Sequence, residues 1–197
     1  MIVDRIFECS DDGKQLLKCV DKYVTSVVIP DSVTSIGDGA FEDCASLTSV
    51  KIPDSVTVIG DSVFDECTSL ISIDVSENNQ QYCSVEGVLF SKDRTRLISY
   101  PAGKGDVSYT VPDSVISIED GAFYNCTSLT SVIIGNSVTS IGDSAFASCA
   151  SLTSVIIPDS VVDIESAAFP GGCNLRTCKK IKFSSSPDTK ELVNNNF

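Results

Sequence analysis

Residues 111–133 read VPDSVISIEDGAFYNCTSLTSVI, and residues 134–156 read IGNSVTSIGDSAFASCASLTSVI. The two segments are identical at 14 of 23 positions. The phrase Ile-Pro-Asp-Ser-Val, or a close variant, also begins at Ile29, Ile52 and Ile157, and adjacent copies are always 23 residues apart. A fixed period of this length is typical of a solenoid, in which each repeat forms one coil.

The apolar positions of one repeat predict how its coil folds. Leu47, Val50 and Ile52 are spaced by three and then by two residues, which predicts a short strand with these side chains facing inwards. Farther along each copy, a small apolar residue precedes phenylalanine, as at Ala122 and Phe123. This pair is predicted to fill the far side of the coil. A single coil cannot bury these residues, so stacked coils must form continuous apolar ladders.

The repeat resembles the BspA-like leucine-rich repeats of bacterial and some protist surface proteins, over roughly residues 24–181. One departure from the better-known leucine-rich repeat is the serine of Pro-Asp-Ser-Val, which replaces an asparagine. Period and resemblance together predict a mostly β, right-handed leucine-rich-repeat solenoid of about seven 23-residue coils. Short helical or 3-10 turns are expected on its convex side, together with an inserted β-hairpin.

The period breaks between Val75 and Val111, a span of one repeat plus 13 residues. Within it, Val88 to Phe90 and Arg96 to Tyr100 flank a polar loop, a pattern that predicts a β-hairpin. The resemblance implies that the segment Gly87 to Pro101 is a family feature.

The chain start repeats this hairpin pattern around Ser10–Gly13, which predicts an N-terminal hairpin that covers the open strand edge of the first coil. The predicted units are the hairpin cap at 1–23, a repeat block at 24–85, the inserted hairpin at 86–106, a second block at 107–182, and a C-terminal cap or frayed tail at 183–197.

Charge and composition exclude several functions. The net charge of −13 disfavours binding to nucleic acid and to anionic membranes, and no apolar run approaches the length of a membrane span. Asp4, Arg5 and Glu8 lie where a signal peptide would need its apolar stretch, so we expect no leader in this segment. The chain has no histidine, which removes the commonest general base and metal ligand. We therefore expect no cofactor and no enzymatic activity.

Nine cysteines raise the question of disulfides or zinc. Four of them, Cys44, Cys67, Cys126 and Cys149, share one repeat position, and Cys173 follows after one extra glycine. The only close pair is Cys173 and Cys178, whereas zinc sites need two pairs or histidine partners. We interpret the repeat cysteines as reduced, buried and apolar.

Aspartates also recur in columns: Asp31, Asp54, Asp113 and Asp159, then Asp38, Asp61, Asp120 and Asp143. Calcium between neighbouring carboxylates is one interpretation. Hydrogen bonding within tight turns is the preferred one, because the glycine-rich repeat that cradles calcium is missing. The sequon at Asn125 falls at a packed repeat position, where we expect no glycan.

Positive charge concentrates where the repeat is interrupted, for example at Lys92, Arg94, Arg96 and Lys104 around the insertion. Solvated loops are the preferred interpretation and anchors for an acidic ligand the alternative. A hydrolase centred on the inserted hairpin is the weakest hypothesis, since most Asp and Ser residues belong to repeating columns.

The strand segment leaves three positions per coil facing outwards, and a partner is expected to bind there, on the concave strand face. The predicted partner-binding residues are Thr130, Ser131, Ile133, Thr153, Ser154 and Ile156. The resemblance implies a surface or secreted adhesin that engages host matrix proteins, while the residues alone leave a cytoplasmic location open. We expect the chain to be a monomer. The alternative hypothesis is a structural module that assembles by end-to-end stacking of coils.

Overall fold

A computed structural model of the chain describes residues 2–3, 6–165, 167–169, 174–177 and 182–183. In chain order the strands are β1 (Ile2–Val3), β2 (Phe7–Cys9), β3 (Gln15–Cys19), β4 (Ser26–Val28), β5 (Ser35–Ile36), β6 (Ser49–Ile52), β7 (Val58–Ile59), β8 (Ser72–Val75), β9 (Tyr82–Val85), β10 (Val88–Ser91), β11 (Arg96–Ser99), β12 (Ser108–Thr110), β13 (Ser117–Ile118), β14 (Ser131–Ile133), β15 (Ser140–Ile141), β16 (Ser154–Ile157), β17 (Asp163–Ile164), β18 (Asn174–Thr177) and β19 (Lys182–Phe183).

These strands form two sides of a β-solenoid. The front face consists of two parallel sheets, β4-β6-β8 and β12-β14-β16-β18. The back face contains the two-residue strands β5, β7, β13, β15, β17 and β19, again with parallel pairing between successive coils. Registers such as Val27 opposite Val50 and Ile133 opposite Ile156 place each residue beside the one 23 positions later. The predicted mostly β solenoid of 23-residue coils is confirmed.

The interior is filled by the apolar ladders that the repeat predicts. Phe123 and Phe146 are fully buried, and their rings stack with centroids 4.6 Å apart. Phe169 continues the stack at 5.0 Å from Phe146, and Tyr100 takes the phenylalanine position before Phe123, at 5.1 Å. Offset or stacked aromatic pairs add to the stabilisation from burial alone. Each ring is therefore held mainly by the coils above and below it.

Aspartate side chains also join successive coils. The Asp120 Oδ1 accepts a hydrogen bond from the Asp143 backbone N–H at 2.8 Å, and Asp38 accepts one from Asp61 at 3.0 Å. A Cβ atom at Gly142 would lie 2.2 Å from that Asp120 oxygen, and one at Gly60 would lie 2.2 Å from Asp38 Oδ1. At these two positions the glycine of Ile-Gly-Asp is therefore required by packing between coils.

Isolated turns replace the helical or 3-10 turns expected beside the phenylalanines. No helix is present in the part of the chain that the structure describes. Two left-handed positions recur in this segment, with φ between 51° and 61°: Gly39, Ser62, Gly121, Ser144 and Ala167 before the phenylalanine, and Asp43, Glu66, Asn125 and Ser148 after it. Left-handed residues cannot continue a right-handed helix. The segment therefore forms short turns, such as those closed by the hydrogen bonds from Glu42 N–H to Gly39 O and from Cys44 N–H to Phe41 O.

The N-terminal hairpin extends the back face. Its strands β2 and β3 pair antiparallel, and β3 pairs parallel with β5, with Leu16 opposite Ile36. The hairpin was expected to cover the open strand edge of the first coil, but it covers the back edge only. Among the strands that the structure describes, β6 is the one neighbour of β4 on the front face.

The insertion is an antiparallel three-stranded meander, β9-β10-β11, followed by parallel pairing of β11 with β13. It begins earlier than the hairpin expected at 86–106, because Tyr82–Val85 pairs with β10. The connecting turn has left-handed residues at Glu86 and Gly87, with φ of 52° and 80°, as a tight hairpin turn requires.

The meander divides the apolar interior into two clusters. Leu89 packs in the cluster of the first repeat block, whereas its neighbours Val88 and Phe90 pack in that of the second. Alternate side chains of a strand point to opposite faces, so β10 forms the wall between the two cores.

Asn79 ends the first repeat block and was not singled out from the sequence. It occupies the repeat position of Val56 and is completely buried. Its Nδ2 donates to the carbonyls of Pro53 and Val56 at 2.8 and 2.9 Å, and its Oδ1 accepts from the N–H groups of Gln81 and Tyr82. Full hydrogen bonding offsets the cost of burying an amide, and these bonds turn the chain into β9.

The tail expected at 183–197 lies, apart from Phe183, outside the described residues, as do Cys173 and Cys178.

Replacing Phe146 by Ala should reduce the free energy of unfolding by about 3–5 kcal/mol, because the change leaves a cavity in a close-packed ladder. Urea denaturation followed by circular dichroism measures the loss. Tyr23→Ala is the control, since the Tyr23 side chain is 86% exposed. A loss for Phe146→Ala below about 1 kcal/mol would contradict the buried ladder.

Candidate binding surfaces

The front face presents three columns of outward-facing residues. Thr25, Thr48, Ile71, Val107, Thr130 and Thr153 form the first. Ser26, Ser49, Ser72, Ser108, Ser131 and Ser154 form the second, and Val28, Lys51, Asp74, Thr110, Ile133 and Ile156 the third. Within each sheet, strand pairing places each residue of the second column opposite the next residue of that column, and the same holds for the third column.

The first two columns contribute to the stacking of coils. The hydroxyl of Thr130 donates to the carbonyl of Val107 at 2.9 Å, and that of Thr153 donates to Thr130 at 3.2 Å. The hydroxyls of Ser26 and Ser49 are hydrogen-bonded to each other at 2.8 Å. Threonine and serine at these positions therefore have a structural reason to recur.

The third column exposes apolar surface in the second block. Ile133 and Ile156 lie opposite each other on β14 and β16 and are 45% and 44% exposed. In the first block the same column carries Lys51 opposite Asp74. The predicted residues Thr130, Ser131, Ile133, Thr153, Ser154 and Ile156 thus lie side by side on two adjacent strands of the front face.

The four described repeat cysteines are buried, and none of them is joined in a disulfide. Cys44, Cys67, Cys126 and Cys149 are each at most 1% exposed. The Cys67 thiol donates to the carbonyl of Phe41 at 3.1 Å, and the Cys149 thiol donates to Phe123 at 3.0 Å. Each of these two thiols links its coil to the phenylalanine of the preceding coil. Burial raises the pKa of Cys67 to about 12, which disfavours the reactive thiolate.

Cys44 has different surroundings. A hydrogen bond from the Cys19 thiol lowers the pKa of Cys44, and the ammonium of Lys22, 3.7 Å from the Cys44 sulfur, acts in the same direction. Lys22 also donates to the carbonyl of Glu42. The positive charge of Lys22 therefore acts on Cys44, which is the first repeat cysteine along the chain.

Several charged and polar side chains have partners within the fold. The described residues contain no group of three or more His, Cys, Asp or Glu side chains that could hold a metal ion. Around the insertion, Arg96 forms an ion pair with Glu119 at 2.6 Å, and Lys104 pairs with Asp106 at 3.3 Å. The amide of Asn125, the sequon residue, donates to Glu66 at 3.0 Å.

Comparison with protein families and solved structures identifies this architecture. The family model of the BspA type leucine-rich-repeat region matches residues 19–95 and 107–196, in six copies. The chain belongs to the BspA-type leucine-rich-repeat family. The matched residues include those of the front face and of the phenylalanine ladder. Among proteins of curated function, none matches the sequence.

Two solved structures show the same fold. The pneumococcal vaccine antigen PcpA is 30% identical, with a TM-score of 0.68 over 77% of this chain and 44% of that one. A leucine-rich cell surface protein from Faecalibacterium prausnitzii is 26% identical, with a TM-score of 0.56 over 86% of this chain and 62% of that one. The chain therefore spans less than two thirds of either protein. Within the described residues, no helix is long and apolar enough to cross a membrane.

In the native protein, the four repeat cysteines should react slowly with a thiol-specific reagent. After denaturation without reductant, about nine thiols per chain should react, one for each cysteine. Cys83, which is only partly buried, should give a faster phase that the Cys83→Ser variant loses. The measurement is the time course of reagent absorbance. A total near one equivalent after denaturation would reveal four disulfides and overturn the thiol ladder.

Proposed function

We propose that the chain is a non-catalytic module that binds a partner protein on its front face, centred on Thr130, Ser131, Ile133, Thr153, Ser154 and Ile156. The observation that carries the proposal is the exposed pair Ile133 and Ile156, which lie in register on β14 and β16. Contiguous exposed apolar side chains on a regular surface are typical of interaction sites.

The surroundings of the pair suit an interface. Ser131 and Ser154 lie beside the isoleucines and supply hydroxyls, while the hydroxyls of Thr130 and Thr153 are already bonded to the preceding coil. An apolar centre flanked by polar groups is the usual anatomy of a protein interface. The strands are held in register by coils on both sides, so binding requires little ordering of the surface.

Family membership supports an extracellular role. One structural relative is a vaccine antigen and the other a cell surface protein, and the resemblance implies adhesins that engage host matrix proteins. We accordingly place this chain at the cell surface or among secreted proteins, with a host protein as the partner class. The absence of histidine from the sequence and the structural use of the aspartate columns support a role without catalysis.

Changing both Ile133 and Ile156 to lysine should leave thermal stability nearly unchanged, because both side chains already contact solvent. Binding to an immobilised panel of host matrix proteins should weaken by at least about tenfold, as for loss of a central hot spot. Surface plasmon resonance measures the change. The control is the double variant Ile116→Lys and Val162→Lys, which alters exposed residues beside the back-face strands.

Unchanged binding by the front-face double variant would reject this surface. The meander from Val88 to Tyr100 would then be the next candidate, to be tested with the same panel of matrix proteins.

A second candidate function, end-to-end assembly, is favoured by one observation. Within the described residues, strand β4 lies at the edge of its sheet, because the N-terminal hairpin pairs with the back face. Exposed strand edges readily pair with another chain unless charge or a covering segment prevents it, and Val28 on this strand is 66% exposed.

Sedimentation velocity over a hundredfold concentration range separates the two functions. A binding module should remain a monomer, as we expect, whereas an assembly module should grow with concentration. In that case Val28→Lys should suppress growth, and Val162→Lys, at a similarly exposed position of the back face, should not.

A further inference from the structure

The two repeat blocks leave a cavity of about 180 Å³ where they meet, on the side of the aromatic ladder. On one side the ladder ends at Phe64, whose ring stacks on Phe41 at 5.6 Å. On the other it resumes at Tyr100, stacked on Phe123. Phe64 and Tyr100 both line the cavity, which we call the seam cleft.

A row of backbone hydrogen bonds is also interrupted there. In the preceding coil, the N–H groups of Gly39 and Phe41 donate to the carbonyls of Asp61 and Val63 at 3.0 and 2.9 Å. The corresponding donors one coil later belong to Ser62 and Phe64, which line the cleft. The meander displaces the coil that would accept from them, and no carbonyl of the described residues takes its place. Backbone donors at a surface can bind the main chain of a partner.

The floor of the cleft is apolar. Leu70, Leu89, Ile98 and Pro101 line it together with Phe64. A cavity of roughly 150 Å³ in another protein accommodates benzene, so the seam cleft has room for one large side chain.

The rim is negatively charged. Asp61, Asp65 and Asp120 line it, while the charge of Glu119 is neutralised by Arg96. Asp65 is partly buried, and this burial raises the pKa of its carboxyl group. An added positive charge would stabilise the ionised form of such a group.

We propose that the seam cleft binds a lysine or arginine side chain of a partner protein. Its aliphatic stem lies on Phe64 and Ile98, and its charged head lies among the rim carboxylates. Long basic side chains combine these two properties, and aromatic faces attract cations. Ser62 and Phe64 supply donors for the carbonyl groups of the same segment. The site is separate from the front face and does not depend on it.

The test is a titration of ¹⁵N-labelled full chain with N-acetyl-lysine methylamide, followed by amide chemical shifts. Saturable shifts are expected at Gly60 and Gly121, which line the cleft. N-acetyl-norleucine methylamide has a similar stem without charge and should bind at least about tenfold more weakly, since the charge interaction is lost.

Substitutions of the rim aspartates test whether these carboxylates bind the lysine derivative. Asp61→Asn changes an exposed side chain and should weaken lysine binding without affecting the fold, and Asp65→Asn should weaken it further. Asp54→Asn, an exposed aspartate outside the cleft, is the matched control and should bind as the wild type does. Equal binding of the norleucine and lysine derivatives, unsaturable shifts, or unchanged binding by the Asp61 and Asp65 variants would each overturn the proposal.

Discussion

The structure depends on one constraint, that a residue of the regular repeats must fit against the residue one coil, or 23 positions, later in the chain. Parallel pairing enforces this register on the front and back faces, and the interior repeats it in stacked phenylalanines. Because a coil has no core of its own, its apolar residues are buried only when its neighbours match them. Aspartate, glycine and threonine recur for the same reason, since each makes or permits a contact with the next coil.

Two departures from the repeat occur where the neighbouring coil differs. Glu119 stands at the position that is glycine in the copies at Gly37, Gly60 and Gly142. In the coil before it, β11 carries no aspartate, and Arg96 of that strand, which lies opposite Ser117, forms an ion pair with Glu119. Asn79 stands where other copies have valine, and its amide bonds two carbonyls of one coil and the N–H groups of Gln81 and Tyr82 at the start of β9.

The solenoid, its period and the outward columns could be predicted, because a contact that is made in every coil requires the same type of residue in every copy of the repeat. The left-handed turns were missed because Asp, Glu, Asn and Ser fill that position in different copies, so no single residue marks it. Asn79 was missed because a single buried amide has no periodic signal. The seam cleft could not be predicted, because it depends on the relative placement of two blocks, which local sequence patterns do not specify. The identity of a partner could not be predicted either, because the spacing of the repeats does not depend on it.

The wall formed by β10 has a consequence for folding thermodynamics. With Leu89 on one side and Val88 and Phe90 on the other, the chain holds two hydrophobic nuclei that share a single strand. In a linear array, cooperativity is transmitted only through interfaces between neighbours. The meander therefore carries the apolar coupling between the halves, and the hydrogen bonds of Tyr124 and Asn125 to Glu66 join them directly. An intermediate with one half folded would form its boundary here.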